Sequence, residues 1–256
     1  MVDTPRTLAC TRYITPLREG GSLPAVVEAS DDGMYVMKFS GAGQGKKALV
    51  AELVAGLLGR ALGLPIPELV FLNLLEDIPR LEGDDEVQQL LKASCGLNLG
   101  VDYLPGALPH DPAVPTTLDV DLASRVVWFD AVIGNVDRTA RNTNLLWWHH
   151  KLWLIDHGAS LTFHHDWETS RDAAPGLALL TSHVLRPKAN AIPKAHAALA
   201  PQVTAALLTE IMALVPDVWL EGEAAFAGLA PLRAAYVDMV LRRLAAVAAQ
   251  FGGGQP

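Results

Sequence analysis

The segment WFDAVIGNVDRTARNTNLLWWHHKLWLIDHGAS, residues 128–160, decides which fold the chain is expected to adopt. It opens with apolar residues at roughly helical spacing, which indicate one buried face of a helix: Trp128, Phe129, Val132 and Ile133. Gly134 and Asn135 suit a tight turn, so the helix should end there. A polar loop follows as far as Asn144, and it carries acidic, amide and cationic side chains.

Two short apolar runs follow the loop, Leu145–Trp148 and Leu152–Ile155, and they predict a β-hairpin. The second run delivers Asp156, so the hairpin returns a carboxylate towards the loop that holds Asp137 and Asn142. Carboxylate and amide oxygens suit Mg²⁺, which usually keeps waters and binds a few carboxylates plus substrate phosphates. The second carboxylate can orient a hydroxyl nucleophile or accept its proton. Enzymes with the protein-kinase fold use this arrangement.

The same segments resemble a known family. NVDRTARN, residues 135–142, and LIDHG, residues 154–158, look like the catalytic and metal-binding motifs of the HipA-like kinases. The first is also similar to the D-R-H-x-x-N motif of phosphatidylinositol kinases, although Thr139 stands where that motif has His. The resemblance implies an α+β, two-lobed protein-kinase-like fold. Its N-terminal lobe would hold a small antiparallel β-sheet plus a helix, and its C-terminal lobe would be mainly helical.

The resemblance also implies roles for individual residues. Asp137 would position the acceptor hydroxyl, whereas Asn142 and Asp156 would hold Mg²⁺. Arg138 and Arg141 are candidates to neutralise charge or to touch the acceptor. Asp, Asn and Gly also cluster in ordinary turns for conformational reasons, so the rest of the chain has to supply the other parts of a kinase in the right order.

The N-terminal residues predict three strands joined by polar turns: Arg12–Arg18, Leu23–Ala29 and Met34–Phe39. The first turn contains Gly20, Gly21 and Ser22, whose small size would let backbone amides approach phosphate oxygens closely. Lys38 lies near the end of the third strand and, in a kinase-like lobe, would neutralise the α- and β-phosphates. The alternative is a surface hairpin with a solvated lysine.

A helix is predicted over Lys46–Leu62, after a second glycine-rich loop at Ser40–Gly45. Glu52 is the only acid in this helix, and its neighbours at positions 51, 53 and 54 are apolar. A carboxylate at a buried border needs a partner. We expect Lys38 to be that partner, which would give the strand–helix ion pair of active kinases. The alternative is a rim glutamate in water.

The elements predicted to complete the first lobe are two strands and a short helix between them: Glu68–Leu75, Glu86–Ala93 and Gly96–Leu104. The end of the last strand, Asp102, Tyr103 and Leu104, is the expected hinge, where backbone N–H and C=O groups would pair with adenine. The N-terminal nucleotide-binding lobe is therefore expected to span residues 1–104.

Residues 105–256 form the expected helical C-terminal lobe, which also carries the catalytic and metal-binding loops. It begins with a Pro-rich linker, residues 107–118, and the helix Asp119–Gly134, which leads into the catalytic loop. Ser182–Ala195 is expected to be irregular, and Pro201–Val215 and Leu229–Phe251 are expected to be scaffold helices. The candidate acceptor loops, residues 105–118 and 160–195, carry no recognisable acceptor motif.

The composition allows a large core and narrows the function. Of the 256 residues 50% are hydrophobic, and the net charge of −8 leaves no strongly basic footprint, so nucleic-acid binding is not expected. Cys10 and Cys95 give neither a disulfide framework nor a zinc pattern. No N-terminal signal pattern is present and no apolar run reaches the ~18 residues of a membrane span. A cytoplasmic protein with no membrane partner is expected.

Taken in order along the chain, these features predict an ATP- and Mg²⁺-dependent phosphotransferase of the HipA-like kind. It would move the γ-phosphate of ATP to a hydroxyl, with a protein serine or threonine as the expected acceptor. One alternative is a nucleotide-binding pseudokinase that acts through a partner without turnover. Another is a kinase of small molecules or lipids.

Overall fold

The structure, a computed structural model, describes residues 2–17, 23–43, 45–81, 83–114, 118–172 and 181–251. Within these ranges the chain forms eight β-strands and eight α-helices. The strands are β1 (Thr7–Pro16), β2 (Ala25–Ala29), β3 (Met34–Lys38), β4 (Leu69–Leu74), β5 (Gly96–Asp102), β6 (Leu108–Pro109), β7 (Leu145–Trp148) and β8 (Lys151–Leu154). The helices are α1 (Lys46–Ala61), α2 (Asp85–Ala93), α3 (Val120–Ile133), α4 (Trp167–Asp172), α5 (Ile192–Leu199), α6 (Ala205–Ala213), α7 (Asp217–Leu220) and α8 (Leu229–Phe251).

The first five strands close into a barrel in the order β1-β2-β3-β5-β4. Four neighbouring pairs are antiparallel as expected, but β1 and β4 run parallel, with Thr7 opposite Phe71. The difference arises because β1 begins at Thr7 rather than at Arg12, and its first four residues pair with β4. A register shift between Cys10 and Arg12 marks a bulge, which bends β1 from one partner strand to the other.

Helix α1 lies at the centre of the molecule. Its residues Leu49–Gly59 are all buried, and Glu52 is the one charged side chain among them. A helix that is apolar on nearly every side is expected to be surrounded by protein. Gly59 permits a close approach, since a Cβ there would lie 2.3 Å from the Ile66 Cδ1. The observed helix agrees with the predicted one to within one residue at its C-terminal end.

The described residues beyond 105 are mainly helical, with one small sheet. Strands β6, β7 and β8 form that sheet, so the predicted hairpin is present and β6 adds a strand inside the predicted linker. Helix α3 packs against α5 and α8. Helix α8 spans Leu229–Phe251 as predicted.

Two predictions in the C-terminal half are wrong in their details. The segment Ser182–Ala195 was expected to be irregular but contains the start of α5, where Pro193 occupies the first turn, a position that tolerates proline. The helix expected from Pro201 starts only at Ala205. Thr204 caps it, because its hydroxyl accepts the backbone N–H of Leu207 at 3.1 Å. None of the helices within the described ranges is long and apolar enough to cross a bilayer.

Candidate active site

The loop after α3 holds Asp137 within a network of amide side chains. The Asn142 Nδ2 donates to the Asp137 Oδ2 at 2.7 Å, and the Asn144 Nδ2 lies 3.4 Å from the same oxygen. The Asn135 Oδ1 accepts the backbone N–H of Asp137 at 3.0 Å. The backbone N–H of Thr139 donates to the C=O of Asn142 at 2.9 Å and closes the loop. The structure therefore brings Asp137 and Asn142 together.

The end of α3 fixes the direction in which this loop leaves the helix. Gly134 adopts the left-handed conformation, with φ 67°, which favours glycine. Arg243 of α8 reaches the end of α3 and donates to the C=O of Ala131 at 2.7 Å and to that of Val132 at 3.1 Å. Burial lowers the pKa of Arg243 to about 10. These contacts join the C-terminal end of α3, where the loop begins, to α8.

A buried carboxylate, that of Asp130 in α3, holds the loop in place. Its side chain is 0% exposed, and its Oδ2 accepts the Arg138 Nε at 2.6 Å and the His183 Nε2 at 2.8 Å. The Asn135 Nδ2 approaches its other oxygen at 3.3 Å. Burial opposes the charged form of Asp130, but the attraction of Arg138 and the bond from His183 outweigh it and hold the pKa of the carboxyl far below its usual value.

Arg138 lies between the two chain segments that carry the candidate catalytic carboxylates. Its Nη1 donates to the C=O of Asn144 and lies 3.4 Å from the C=O of Ile155, the residue before Asp156. Arg138 is buried and neutralises Asp130, so of the two roles expected for it the structure fits charge neutralisation rather than contact with the acceptor. The reason is that the adjacent helix supplies an internal carboxylate for it. Arg141 is exposed near the end of the loop, and its role towards the acceptor stays a prediction.

The sequence prediction missed Asp130 and His183. Asp130 carried a usable signal, because it is the one acid in an otherwise apolar stretch of α3, as Glu52 is in α1. His183 lies 53 residues from Asp130, and only the fold brings the two together. The segment of His183 is joined to the catalytic loop by a backbone bridge between Thr139 and His183 and by the Val184 N–H, which donates to the Arg138 C=O at 3.0 Å.

The second group of predicted residues meets around Lys38. The Lys38 Nζ lies 2.6 Å from the Glu52 Oε2 and 2.5 Å from the Asp156 Oδ1. The predicted Lys38–Glu52 pair is therefore present, and Asp156 joins it as a third member. The Glu52 side chain is 2% exposed and that of Lys38 15%, whereas that of Asp156 is 47% exposed. The cluster is thus buried on the helix side and open on the Asp156 side.

Neighbouring charges keep Lys38 and Glu52 ionised. Burial disfavours the charged form of Lys38, but the attraction of Glu52 and Asp156 exceeds that effect and raises the pKa of the lysine above its usual value. Burial likewise opposes the charge of Glu52, yet Lys38 and the bond from His157 lower the pKa of that carboxyl. The cluster is a fixed lysine ammonium between two carboxylates.

The turn after Asp156 is held against α1. The backbone N–H of His157 donates to the Glu52 Oε2 at 2.8 Å. The His157 ring is fully buried, with its centroid 6.1 Å from that of Phe129 in an edge-on geometry. Asp156 itself has φ 55°, in the left-handed region that Asp tolerates better than most residues. This backbone turns the Asp156 side chain towards Lys38 while His157 packs inward.

The expected hinge, Asp102 to Leu104, begins at the last residue of β5. Lys38 is opposite Leu99 on β5, and Asp102 lies three residues further on, which places it about 10 Å away along the strand. The backbone N–H of Asp102 donates to the C=O of Glu68 at 2.8 Å, and that of Tyr103 donates to the C=O of Met34 at 3.1 Å. The Leu104 N–H makes no hydrogen bond to the described part of the chain. Of the three N–H groups, those of Asp102 and Tyr103 are thus already used within the protein, and pairing of this segment with adenine stays a prediction.

Some predicted site residues are not placed by the structure. Gly20, Gly21 and Ser22 lie outside the described residues. For Mg²⁺, the candidate ligands are the half-exposed Asp156 carboxylate and the amide oxygen of the exposed Asn142 side chain, whose Nδ2 donates to Asp137. Across the described ranges no group of three or more His, Cys, Asp or Glu could hold a metal ion. Two protein oxygen ligands nevertheless fit Mg²⁺, which takes its remaining ligands from water and phosphates.

Comparison with known proteins places this geometry in a family. A family model described as "HipA-like kinase" matches residues 11–249. A solved structure, the Helicobacter pylori proinflammatory kinase CtkA, is similar with a TM-score of 0.64 and 10% identity, over 98% of this chain and 100% of that chain. The Golgi casein kinase gives a TM-score of 0.47 and 12% identity, over 98% of this chain and 72% of that chain. No curated protein matches the sequence. The resemblance predicted from the motifs is confirmed.

Proposed function

Because the chain belongs to the HipA-like kinase family, we propose that it is an ATP- and Mg²⁺-dependent phosphotransferase. It moves the γ-phosphate of ATP to a hydroxyl, with a protein serine or threonine as the acceptor. The observation that carries the proposal is the cluster of Lys38, Glu52 and Asp156, in which a buried carboxylate fixes a lysine beside a half-exposed carboxylate. Kinases use such a lysine–glutamate pair and such a metal-binding aspartate.

The nucleotide is proposed to lie between the barrel and the helical part, with residues 1–104 and 105–256 as the two lobes. Lys38 neutralises the α- and β-phosphates, and Leu104 offers its backbone N–H to adenine. Asp156 and Asn142 would hold Mg²⁺, which when bound supplies positive charge to the phosphates. The turn at 20–22 is proposed to cover the phosphates.

Asp137 is proposed to orient the acceptor hydroxyl and to take its proton. Two amide side chains, those of Asn142 and Asn144, donate towards the same oxygen of Asp137, so the carboxylate is held in one orientation. Asp130 stabilises this orientation further, because it binds Asn135 and Arg138, which precede and follow Asp137 in the sequence. Fixed geometry matters most here, since phosphoryl transfer depends on positioning and electrostatics.

A second candidate function is supported by one contact. Asp156 already accepts a hydrogen bond from Lys38 at 2.5 Å, and a metal ion would have to compete with that ammonium for the carboxylate. If the contact persists with nucleotide present, the protein would bind nucleotide and act through a partner without turnover. Nucleotide binding without phosphate transfer would identify such a pseudokinase.

The test is a transfer experiment with the acceptor left open. The protein is incubated with Mg²⁺ and γ-labelled ATP, with and without cell extract, and labelled proteins, small molecules and lipids are identified by mass spectrometry. Asp137→Asn protein is the control for contaminating kinases. Label on protein serine or threonine that depends on Asp137 supports the proposal. Asp137-dependent label on a small molecule or lipid would show that the acceptor belongs to that class instead. Absence of Asp137-dependent label from all fractions, including released phosphate, would contradict it.

A further inference from the structure

Lys47, in the first turn of α1, reaches out of its own helix to the chain segment that follows Asp156. Its Nζ donates to the backbone C=O of His164 at 2.5 Å and lies 3.0 Å from the Glu223 Oε2. Glu223 precedes α8, so one ammonium group joins three distant parts of the chain. Nothing in the proposed chemistry requires this lysine to touch substrate.

The two parts of the chain that Lys47 joins, helix α1 and the segment after Asp156, also supply Glu52 and Asp156 to the cluster around Lys38. On the α1 side, Glu52 lies little more than one helical turn beyond Lys47 and accepts the backbone N–H of His157. On the other side, His164 is in the short segment that begins at Asp156. It is fully buried, and its Nδ1 lies 3.0 Å from the hydroxyl of Tyr236 in α8. Lys47 therefore ties α1 to a segment that α8 already holds in place.

The contacts of α1 with this segment follow one face of the helix. A Cβ built on Gly158 would lie 3.6 Å from the Glu52 Oε2 and 3.7 Å from the Ala48 Cβ, which shows how closely the turn follows the helix. Positions 48 and 52 are one turn apart and face the same side. Lys47 is the contact at the open end of this interface, with 36% of its side chain exposed.

We propose that Lys47 is a positioning residue for the nucleotide site. It holds α1 and the segment after Asp156 in the relative placement at which Glu52, Lys38 and Asp156 meet. The proposal rests on the proposed function, because it concerns the affinity of that site for nucleotide. Loss of the Lys47 contacts would let α1 shift, and the phosphates would then meet a less ordered cluster.

The adjacent Lys46 supplies a matched control. It is exposed, and its ammonium group makes no ion pair or hydrogen bond with the described residues. Lys46→Met and Lys47→Met remove the same charge from the same end of the same helix. A difference between the two variants therefore reports the contacts of Lys47 rather than the electrostatic field near the site.

Glu223 distinguishes positioning from direct contact with phosphate. If Lys47 bound phosphate itself, Glu223→Gln would free the lysine and leave nucleotide affinity unchanged or higher. If Lys47 instead positions α1 through its contacts, Glu223→Gln weakens one of those contacts and lowers the affinity for nucleotide. Glu223 belongs to the turn before α8 and is not part of the cluster around Lys38.

The experiment is calorimetric titration of Mg-ADP into the wild type and the three variants, with thermal unfolding of each without nucleotide. We expect Lys47→Met to raise Kd roughly three- to tenfold, as for the indirect loss of one charge-assisted hydrogen bond, and Glu223→Gln to raise it less. Lys46→Met should match the wild type. A changed Tm with an unchanged Kd would show a merely structural lysine and overturn the proposal.

The remaining outcomes are equally decisive. Equal Kd values for Lys46→Met and Lys47→Met, or a Glu223→Gln variant that binds as tightly as the wild type or tighter, would overturn the positioning role while leaving the proposed function in place. Wild-type protein that is folded but binds no Mg-ADP would instead contradict the proposed function itself.

Discussion

At the scale of single residues, the site depends on two buried acids that share one sequence signature. Glu52 and Asp130 each stand alone among apolar neighbours in a helix, and each receives a cationic side chain: Lys38 in one case and Arg138 in the other. A buried carboxylate requires such a partner, since an isolated charge is strongly disfavoured away from water. The same rule that predicts a partner for Glu52 therefore applies to Asp130.

Asp130→Asn is predicted to destabilise the fold strongly. The substitution leaves Arg138 buried without its counter-ion, and breaking a buried pair in this way costs about 3–5 kcal/mol. Asp121→Asn is the control, because it breaks the pair with Lys194, which is exposed to solvent and should contribute little to stability. Urea denaturation measures both. Losses that agree within about 1 kcal/mol would contradict the anchoring role of Asp130.

His164 gives a prediction about pH. Burial, with smaller contributions from His165 and Lys47, lowers the pKa of His164 to about 3. Between that value and the ~6.5 of an unfolded histidine the unfolded chain binds the extra proton, so the free energy of unfolding falls as pH falls. The loss should approach about 1.4 kcal/mol per pH unit for this group below pH 6.

The measurement is urea denaturation at several pH values between 7 and 5, for the wild type and for His164→Gln. The variant should show a shallower dependence, because its side chain binds no proton. Burial also lowers the pKa values of His110 and His165, so the variant keeps part of the dependence of the free energy of unfolding on pH. Identical slopes for the two proteins would show that His164 is not buried in its neutral form.

At the scale of elements, the sequence predicts what is local. Helix α1 has a continuous apolar pattern and a Gly-Leu-Pro end, and its bounds are predicted to within one residue. The start of β1 is not predicted, because Thr7–Cys10 pairs in parallel with β4, about 60 residues away in sequence. The same limit applies to His183, whose partner Asp130 is remote in sequence.

The junction between α3 and the catalytic loop gives an element-scale prediction. Gly134→Ala places a Cβ in a left-handed residue and 2.8 Å from the Arg243 Cζ, whereas Gly222→Ala, at φ 86°, meets nothing within 4 Å. Both should lose about 1 kcal/mol to backbone strain. Gly134→Ala should lose a further 1–3 kcal/mol or so, because the buried guanidinium must move. Equal losses in chemical denaturation would show that Arg243 yields freely.

At the scale of the whole molecule, the cluster of Lys38, Glu52 and Asp156 joins barrel strand β3, helix α1 and the turn after strand β8. The sequence predicts the pair of Lys38 and Glu52 because both lie in strongly patterned elements. It does not predict that Asp156 contacts Lys38, since 118 residues separate them and the contact depends on the relative placement of barrel and helices.

A double-mutant cycle tests whether this cluster acts as a unit. Lys38→Met and Glu52→Gln should each reduce phosphate transfer, and the double variant should be little worse than Lys38→Met alone. The reason is that Lys38→Met leaves Glu52 buried without its counter-ion and Glu52→Gln leaves Lys38 only the half-exposed Asp156, unlike an exposed pair worth about 0–1 kcal/mol. Strictly additive effects on the transfer rate, with both single variants close to the wild type, would show two independent charges.

The central claim is that one carboxylate of the nucleotide site, Asp156, binds the metal while another, Asp137, orients the acceptor hydroxyl. It is tested most directly by titrating Mg-ATP into the wild type and one variant of each residue while phosphate transfer is measured. Wild-type protein should bind and transfer. Asp156→Asn should weaken Mg²⁺-dependent binding by about tenfold or more, whereas Asp137→Asn should bind within about twofold of the wild type and transfer almost nothing. Folded wild-type protein that binds no nucleotide at millimolar Mg-ATP, or two variants that lose binding equally, would contradict the account.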